Sequence, residues 1–473
     1  MMIWDFEKYS EDIALKDEHG ITVSYGELLK QAQRIKRAIG ERCLIFCLCT
    51  NSIGSVSGYV SLLSEGMVPV LLNAHLEQGL LDNLINTYKP AFIWSPVEAA
   101  DKLRKYGNEC CFEKYGYSLL RTDFDGQFEL HDELCLLLTT SGSTGSPKFV
   151  RQSYRNVASN AQSIAQYLEL DETEKPITTL PMNYTYGLSI INSHLLVGAT
   201  LLLTDKGLMQ KEFWKFFKDE GATSFGGVPY TYEMLKKLRF FNMALPSLRY
   251  MTQAGGKLLP KLHQEFAEYA AQRNKKFIVM YGQCEATARM GYLPAEKSIE
   301  KCGSMGIAIP GGRFHLTDAN GTEINEPDVI GELIYEGDNV TLGYAECGND
   351  LKKGDERNGV LETGDMAQFD ADGYYYIVGR KKRFLKIYGN RVNLDEIDRL
   401  IKAEFDGIDV TSAGTDDHMY LFVTDEKLSD QVKNFVALKT GLHSGAFHMV
   451  TIDSIPKNDS GKILYQELAK YYE

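Results

Sequence analysis

The chain has no apolar run long enough to cross a bilayer as a helix. Its start, Met1-Met2-Ile3-Trp4-Asp5-Phe6-Glu7, lacks the charged-then-apolar plan of a signal peptide. The nine cysteines include no Cys-x-x-Cys, although Cys110 and Cys111 are adjacent. An odd, unpatterned set argues against a disulfide frame or a zinc site and predicts reduced thiols in a cytoplasm. Basic charge is in deficit: 51 Lys and Arg stand against 64 Asp and Glu, for a net −13. That disfavours nucleic acid or an anionic membrane as a general partner, while leaving room for a local basic patch. No internal repeat and no low-complexity tract is found. What remains is the composition of a soluble globular protein, 44% apolar and 24% charged. At 473 residues it is too long for one ordinary core, so at least two domains are expected.

The first part alternates helix and strand. Ser24 with Glu27 reads as a helix cap ahead of an amphipathic run. Leu44 to Cys49, Val68 to Leu72 and Pro90 to Trp94 read as buried strands, with a helix over Ser57 to Glu65. Pro176 to Leu180, Ala199 to Leu203, Ala222 to Phe225 and Phe277 to Met280 continue the strands, and Lys211 to Asp219 reads as a helix. The alternation predicts an α/β fold built on doubly wound sheets. After about residue 300 glycines increase and strands shorten, which predicts a β-rich subdomain. Gly379-Arg380-Lys381-Lys382-Arg383 marks a boundary, beyond which the chain could form a small α+β domain.

Leu134 to Leu138 reads as a buried strand that breaks into Thr139-Thr140-Ser141-Gly142-Ser143-Thr144-Gly145-Ser146-Pro147-Lys148, with a helical-looking segment after it. Glycines let the backbone approach a ligand, successive N–H groups converge on an anion, hydroxyls add donors, and Lys148 adds a point charge. These are the requirements for holding nucleotide phosphates. Pro147 stands where the second glycine of the common Gly-x-x-x-x-Gly-Lys-Ser/Thr loop would fall, so this is a different phosphate loop. A plain Ser/Gly connector is the alternative. As a string, it closely resembles the signature loop of the adenylate-forming enzymes, namely acyl-CoA synthetases, adenylation domains of peptide synthetases, and luciferases.

Other segments resemble that family's motifs in the family's order. Tyr281-Gly282-Gln283-Cys284-Glu285 resembles its Tyr-Gly-x-Thr-Glu: Tyr281 can stack on a purine, Gly282 permits the turn, and Glu285 can hold Mg²⁺ beside phosphate. Cys284 replaces a threonine, and a thiol is a poorer donor; weaker α-phosphate binding is expected, with a drifted site or a reactive thiol as alternatives. Gly255-Gly256-Lys257 resembles the adenine-facing loop, or is a plain turn. Thr363-Gly364-Asp365 resembles the family's Thr-Gly-Asp, whose carboxylate accepts both ribose hydroxyls. Arg380 resembles its other ribose and phosphate contact. In the run from Gly379 to Asn393, Lys382 matches the family's hinge pivot. Lys386 and Gly389 match the loop that enters for thioester formation. Near the C-terminus, Pro456-Lys457-Asn458-Asp459-Ser460-Gly461-Lys462 resembles the loop whose lysine, here Lys462, reaches the carboxylate and the α-phosphate.

The resemblance implies a large N-terminal domain over 1–379, with its β-rich part at about 300–379, and a small mobile α+β domain over 380–473. It implies activation of a carboxylic acid by ATP and Mg²⁺ to an acyl-adenylate, catalysed by Lys462 and Glu285, with pyrophosphate release. Transfer to a thiol follows, most simply coenzyme A. Alternatives are a carrier-protein phosphopantetheine, an amine or hydroxyl acceptor, or a non-catalytic nucleotide-binding relative. The acyl pocket is expected from Asn183, Tyr184, Thr185 and Tyr186 on one wall and Phe225, Gly226 and Val228 on the other, although the aromatics of that second wall could equally be core. Amino-acid-activating members carry an aspartate where Thr185 stands, so an α-amino acid held by that contact is not expected. The sequence leaves a homodimer open.

Overall fold

The computed structural model describes residues 3–124, 128–139, 148–387, 390–405, 407–415, 417–440, 442–457 and 463–472, with only the backbone of 382, 384, 386, 390 and 391. The apolar runs become strands buried on both faces, as expected where helices cover a sheet on each side. An eight-stranded sheet runs in spatial order Gly343–Ala345, Phe149–Ser153, Leu134–Thr139, Val68–Asn73, Leu44–Cys49, Phe92–Pro96, Tyr117–Arg121 and Glu109–Lys114. Its centre, from Leu134–Thr139 to Phe92–Pro96, is parallel, and its flanks are antiparallel. A second sheet has Ser224–Gly227, Tyr250–Gln253 and Lys276–Tyr281 in parallel, followed by antiparallel Gly291–Tyr292 and Ile307–Ala308. The α/β class holds.

Local chemistry explains the element ends. Ser24 Oγ accepts from the Glu27 N–H at 3.1 Å while Glu27 Oε2 accepts from the Ser24 N–H at 2.9 Å, closing the expected capping box of helix Tyr25–Ile39. Two expectations are corrected. The segment after Lys148 is not helical. Phe149–Ser153 is a fully buried strand that pairs with Leu134–Thr139 on one side and Gly343–Ala345 on the other, and the helix starts only at Tyr154 under a Ser153 cap. Pro176 to Leu180 forms only isolated bridges, Pro176 to Ser224 and Ile177 to Leu202, because pairing stops there.

From Gly312 onward the chain builds an antiparallel five-stranded sheet, ordered Glu323–Ile324, Gly312–Thr317, Gly331–Gly337, Val360–Phe369 and Tyr375–Arg380. Beyond it lie the hairpin Phe384–Ile387 with Asn390–Asn393, helix Leu394–Glu404, and a three-stranded sheet of Val410–Thr415, His418–Val423 and Phe447–Thr451. These last elements share their own apolar core, including Ile387, Ile401, Val410, Leu421 and Val432. Arg383 is buried at the entry to this region and pairs with Asp398 at 2.8 Å and with Asp395. The last strand of the preceding sheet meets the same helix start: the Arg380 N–H donates to Asp395 Oδ2 at 3.0 Å, and Asn393 Nδ2 donates to the Val378 carbonyl at 2.8 Å.

Candidate active site

Strand Lys276–Tyr281 delivers the turn that organises the site. At Gly282 a Cβ would fall 1.6 Å from the Ala288 carbonyl oxygen, so only glycine lets the two segments touch. The return passes through Thr287 and Ala288, both at positive φ (52° and 97°). This tight reversal aims Tyr281 and Gln283 one way and Glu285 another.

Tyr281 donates to Asp365 Oδ2 at 2.5 Å. Gln283 Nε2 donates to the same oxygen at 2.9 Å and to the Thr363 carbonyl at 3.0 Å. Arg380, opposite Asp365 in the strand register, brings its Nε to 3.6 Å from Oδ1. Asp365 is 5% exposed. Burial raises its pKa above the ordinary carboxylate value, against the opposing pull of Arg380, Tyr281 and Gln283. Oδ2 is thus saturated, while Oδ1 keeps acceptor capacity. Gln283, unassigned from sequence, is a central member of this cluster.

On the other side, Tyr344 Oη donates to Glu285 Oε1 at 2.7 Å. The Tyr344 ring is held by two cations, Lys148 Nζ at 3.7 Å and the Arg357 guanidinium at 4.7 Å from its centroid. Arg357 also donates to the Glu285 carbonyl at 3.0 Å and to Thr341 Oγ1 at 2.6 Å. Lys148 and Glu285, far apart in sequence, therefore share one aromatic. Glu285 Oε2 accepts no hydrogen bond from a described residue. One carboxylate oxygen left open beside a lysine fits a hard cation that is also held by phosphates and water. No group of three or more His, Cys, Asp or Glu that could hold a metal by itself occurs among the described residues.

A third group lies behind the turn. Tyr184 and Tyr186 stand edge to face at 6.3 Å, and Tyr186 Oη donates to Thr252 Oγ1 at 2.8 Å. A Cβ on Gly226 would meet Tyr186 Oη at 3.0 Å, and one on Gly255 would meet Tyr184 Oη at 2.7 Å and Val228 Cγ1 at 3.1 Å. Tyr184, Tyr186, Gly226, Val228 and Gly255 are therefore neighbours. Thr185 is buried at the start of helix Thr185–Leu196, and Asn183 is half-buried ahead of it. Cys284 is buried close enough to Tyr184 for its charge state to affect the phenol. Phe225 is corrected to core. It packs against Phe217 and Phe240 at 6.5 and 5.9 Å in the aromatic cluster beneath the second sheet. Strand alternation sends Phe225 to one face and Gly226 to the other.

In the Gly255-Gly256-Lys257 loop, the Gly256 carbonyl accepts from Gln253 Nε2 at 2.9 Å, and Lys257 Nζ donates to the Ile377 carbonyl at 2.7 Å. Lys382 lies in the turn Lys381–Arg383 and Lys386 in strand Phe384–Ile387. Thr140, Ser141, Gly142, Ser143, Thr144, Gly145, Gly389 and Lys462 lie outside the described residues.

A family model described as AMP-binding enzyme matches residues 4–345, well over half the chain. The chain belongs to the AMP-binding enzyme family. The resemblance to adenylate-forming enzymes holds. Among curated relatives, an oxalate–CoA ligase of Arabidopsis thaliana is 28% identical over 360 residues, covering 72% of this chain and 68% of that protein. A 2-succinylbenzoate–CoA ligase of Bacillus licheniformis is 29% identical over 350 residues, covering 71% and 70%. Among solved structures, ATP-bound MatB from Rhodopseudomonas palustris shares the fold with TM-score 0.79 at 22% identity, covering 99% of each chain. The o-succinylbenzoate CoA synthetase from Bacillus subtilis with its acyl-adenylate gives 0.77 at 23%, covering 98% and 96%. The matches support an acid–thiol ligase. No helix among the described residues is long and apolar enough to cross a membrane.

Proposed function

We propose that this enzyme activates a carboxylic acid with Mg·ATP and transfers the acyl group to coenzyme A. The observation that carries the reading is the turn at 281–285, which serves two clusters at once: Tyr281 and Gln283 on Asp365, and Glu285 with Lys148 on Tyr344. A buried carboxylate with open acceptor capacity suits the two ribose hydroxyls. Lys148, with Thr140 to Gly145, suits the β- and γ-phosphates. Mg²⁺ held by Glu285 and the phosphates would neutralise their charge.

The acid's carboxylate attacks the α-phosphorus, and the bond to pyrophosphate breaks. Two anions meet in that step, and a cation at the point of attack lowers its barrier; Lys462 is assigned this role. The thiolate of coenzyme A then attacks the acyl carbon, and AMP leaves. We assign 1–379 and 380–473 as the two domains, with Lys382 as pivot and Lys386 and Gly389 on the loop used in the second step. Arg380, beside Asp365, is assigned to ribose and phosphate. Gly255, Gly256 and Lys257 are assigned to the adenine side, and Asn183 to Tyr186 with Gly226 and Val228 to the acyl pocket.

The test is pyrophosphate release with Mg·ATP across a panel of carboxylic acids, each with and without coenzyme A. Release with one acid class, increased by coenzyme A, is expected. Release indifferent to coenzyme A would transfer the assignment to a carrier protein or another acceptor. Silence in a protein that binds ATP would overturn the reading. Lys462→Ala should abolish acyl-adenylate formation while sparing thioester formation from supplied acyl-AMP.

A further inference from the structure

Among the described residues three arginines are buried, Arg151, Arg289 and Arg383. Arg151 pairs with Glu356, and Arg383 with Asp395 and Asp398. Arg289, 2% exposed, pairs with no carboxylate among the described residues. Its partners among the described residues are all neutral. Nε donates to Ser189 Oγ at 3.1 Å, Nη1 donates to Tyr167 Oη at 2.9 Å and touches Met280 Sδ at 2.5 Å, and the guanidinium lies 4.8 Å over the Tyr186 ring. Nη2 donates to no described residue, yet it is not among the fully enclosed polar atoms that lack a partner.

The nearby carboxylate whose charge acts on Tyr250, Glu174, is already paired with Arg249 at 2.8 Å. The groups that feel the Arg289 charge include Tyr167, Tyr184, Tyr186, Tyr250 and His194. Burial holds the tyrosines protonated and His194 neutral, with a pKa lowered to about 4. An uncompensated buried cation is costly, and a fold that keeps one must recover the cost elsewhere. Here the cation lies against Tyr186, on the wall assigned to the acyl group, with one donor nitrogen uncommitted. A planar guanidinium fork matches carboxylate or sulfonate oxygens.

We infer that Arg289 receives a second anionic group on the substrate, so that the acid activated here is a dianion carrying a distal carboxylate or sulfonate. This rests on the adenylation reading and narrows it to a substrate class. One carboxylate goes to the α-phosphorus, and the distal group neutralises Arg289.

The experiment uses the full chain and acid pairs differing only by methyl against carboxylate or sulfonate at the far end, such as propionate with malonate and with sulfoacetate. Pyrophosphate release gives kcat/KM for each. The dianion should be preferred by roughly ten- to a hundredfold, and the better of the carboxylate and sulfonate members identifies the group. Arg289→Met should erase the preference and leave the KM for ATP unchanged, and Arg289→Lys should retain part of it. Preference for the methyl-ended acid, or a preference that survives Arg289→Met, overturns this inference and leaves adenylation standing. Failure of every acid in a protein that binds Mg·ATP overturns adenylation and this inference with it. If Arg289→Met does not fold, the wild-type ratio alone decides.

Discussion

Replacing Asp365 with Asn tests the nucleotide half of the site. Oδ2 already accepts from Tyr281 at 2.5 Å and Gln283 at 2.9 Å, so ribose hydroxyls must use Oδ1, which among the described residues faces Arg380 at 3.6 Å. Asparagine keeps one acceptor oxygen. Tyr281 and Gln283 claim it, and an NH₂ group faces the ribose. Two hydrogen bonds to a charged acceptor are lost or reversed, a penalty of about 3 kcal/mol, or roughly a hundredfold in Kd for ATP. Stability should move the other way. Burial raises the folded-state pKa of Asp365, so its contribution to stability is fully present below the unfolded pKa and is lost as pH rises through the folded value. Burial makes the charged form costly in the fold, and Asp365→Asn should not lower Tm. The assay is calorimetric binding of ATP and of its dideoxyribose analogue to both proteins. Wild type should discriminate strongly between them and the variant weakly. Equal loss of affinity for both nucleotides would refute the ribose contact.

Other substitutions probe the scaffold. His194 and His263 are buried with pKa values lowered to about 4, so the unfolded chain takes up protons that the folded chain refuses. Stability should fall as pH drops from about 6.5 towards 4, by roughly 3 kcal/mol for each histidine; urea midpoints at pH 7 and 5 should converge in His194→Gln and His263→Gln, and an unchanged acid loss would contradict this. Arg151, fully buried, donates to the carbonyls of Leu342, Tyr344, Lys353 and Gly354 and pairs with Glu356, so Arg151→Met should cost at least about 3 kcal/mol in denaturant titrations and weaken turnover through Tyr344. Gly282→Ala forces a methyl against the Ala288 carbonyl and should cost about 3 kcal/mol and most of the activity, read as Tm and pyrophosphate release. Cys284→Thr should hold or raise turnover with ATP, and a large loss would mean the thiol has another task.

What the sequence reveals follows physical range. Leu44–Cys49 and Val68–Asn73 were legible because a strand covered on both faces must be apolar throughout. The strand after Lys148 was not, because Arg151, Gln152 and Ser153 look exposed until their partners across the sheet are known. Of the site, motifs that are contiguous in sequence could be recognised. Gln283 could not be assigned, because its task depends on Asp365, and Tyr344 and Arg357 acquire theirs only by folding against Glu285. Phe225 was separable in principle, since period-two alternation puts it opposite Gly226. Arg289 gave no local signal, as nothing beside it in sequence reveals that it is buried without a counter-ion among the described residues.

The most direct test of the central chemistry labels the substrate carboxylate with heavy oxygen and follows the label in a single turnover with coenzyme A. Attack on the α-phosphorus and then release by the thiol must carry one labelled oxygen into AMP and none into pyrophosphate. Label in inorganic phosphate, with ADP as the nucleotide product, would mean that the acid attacks the γ-phosphorus and would contradict the account.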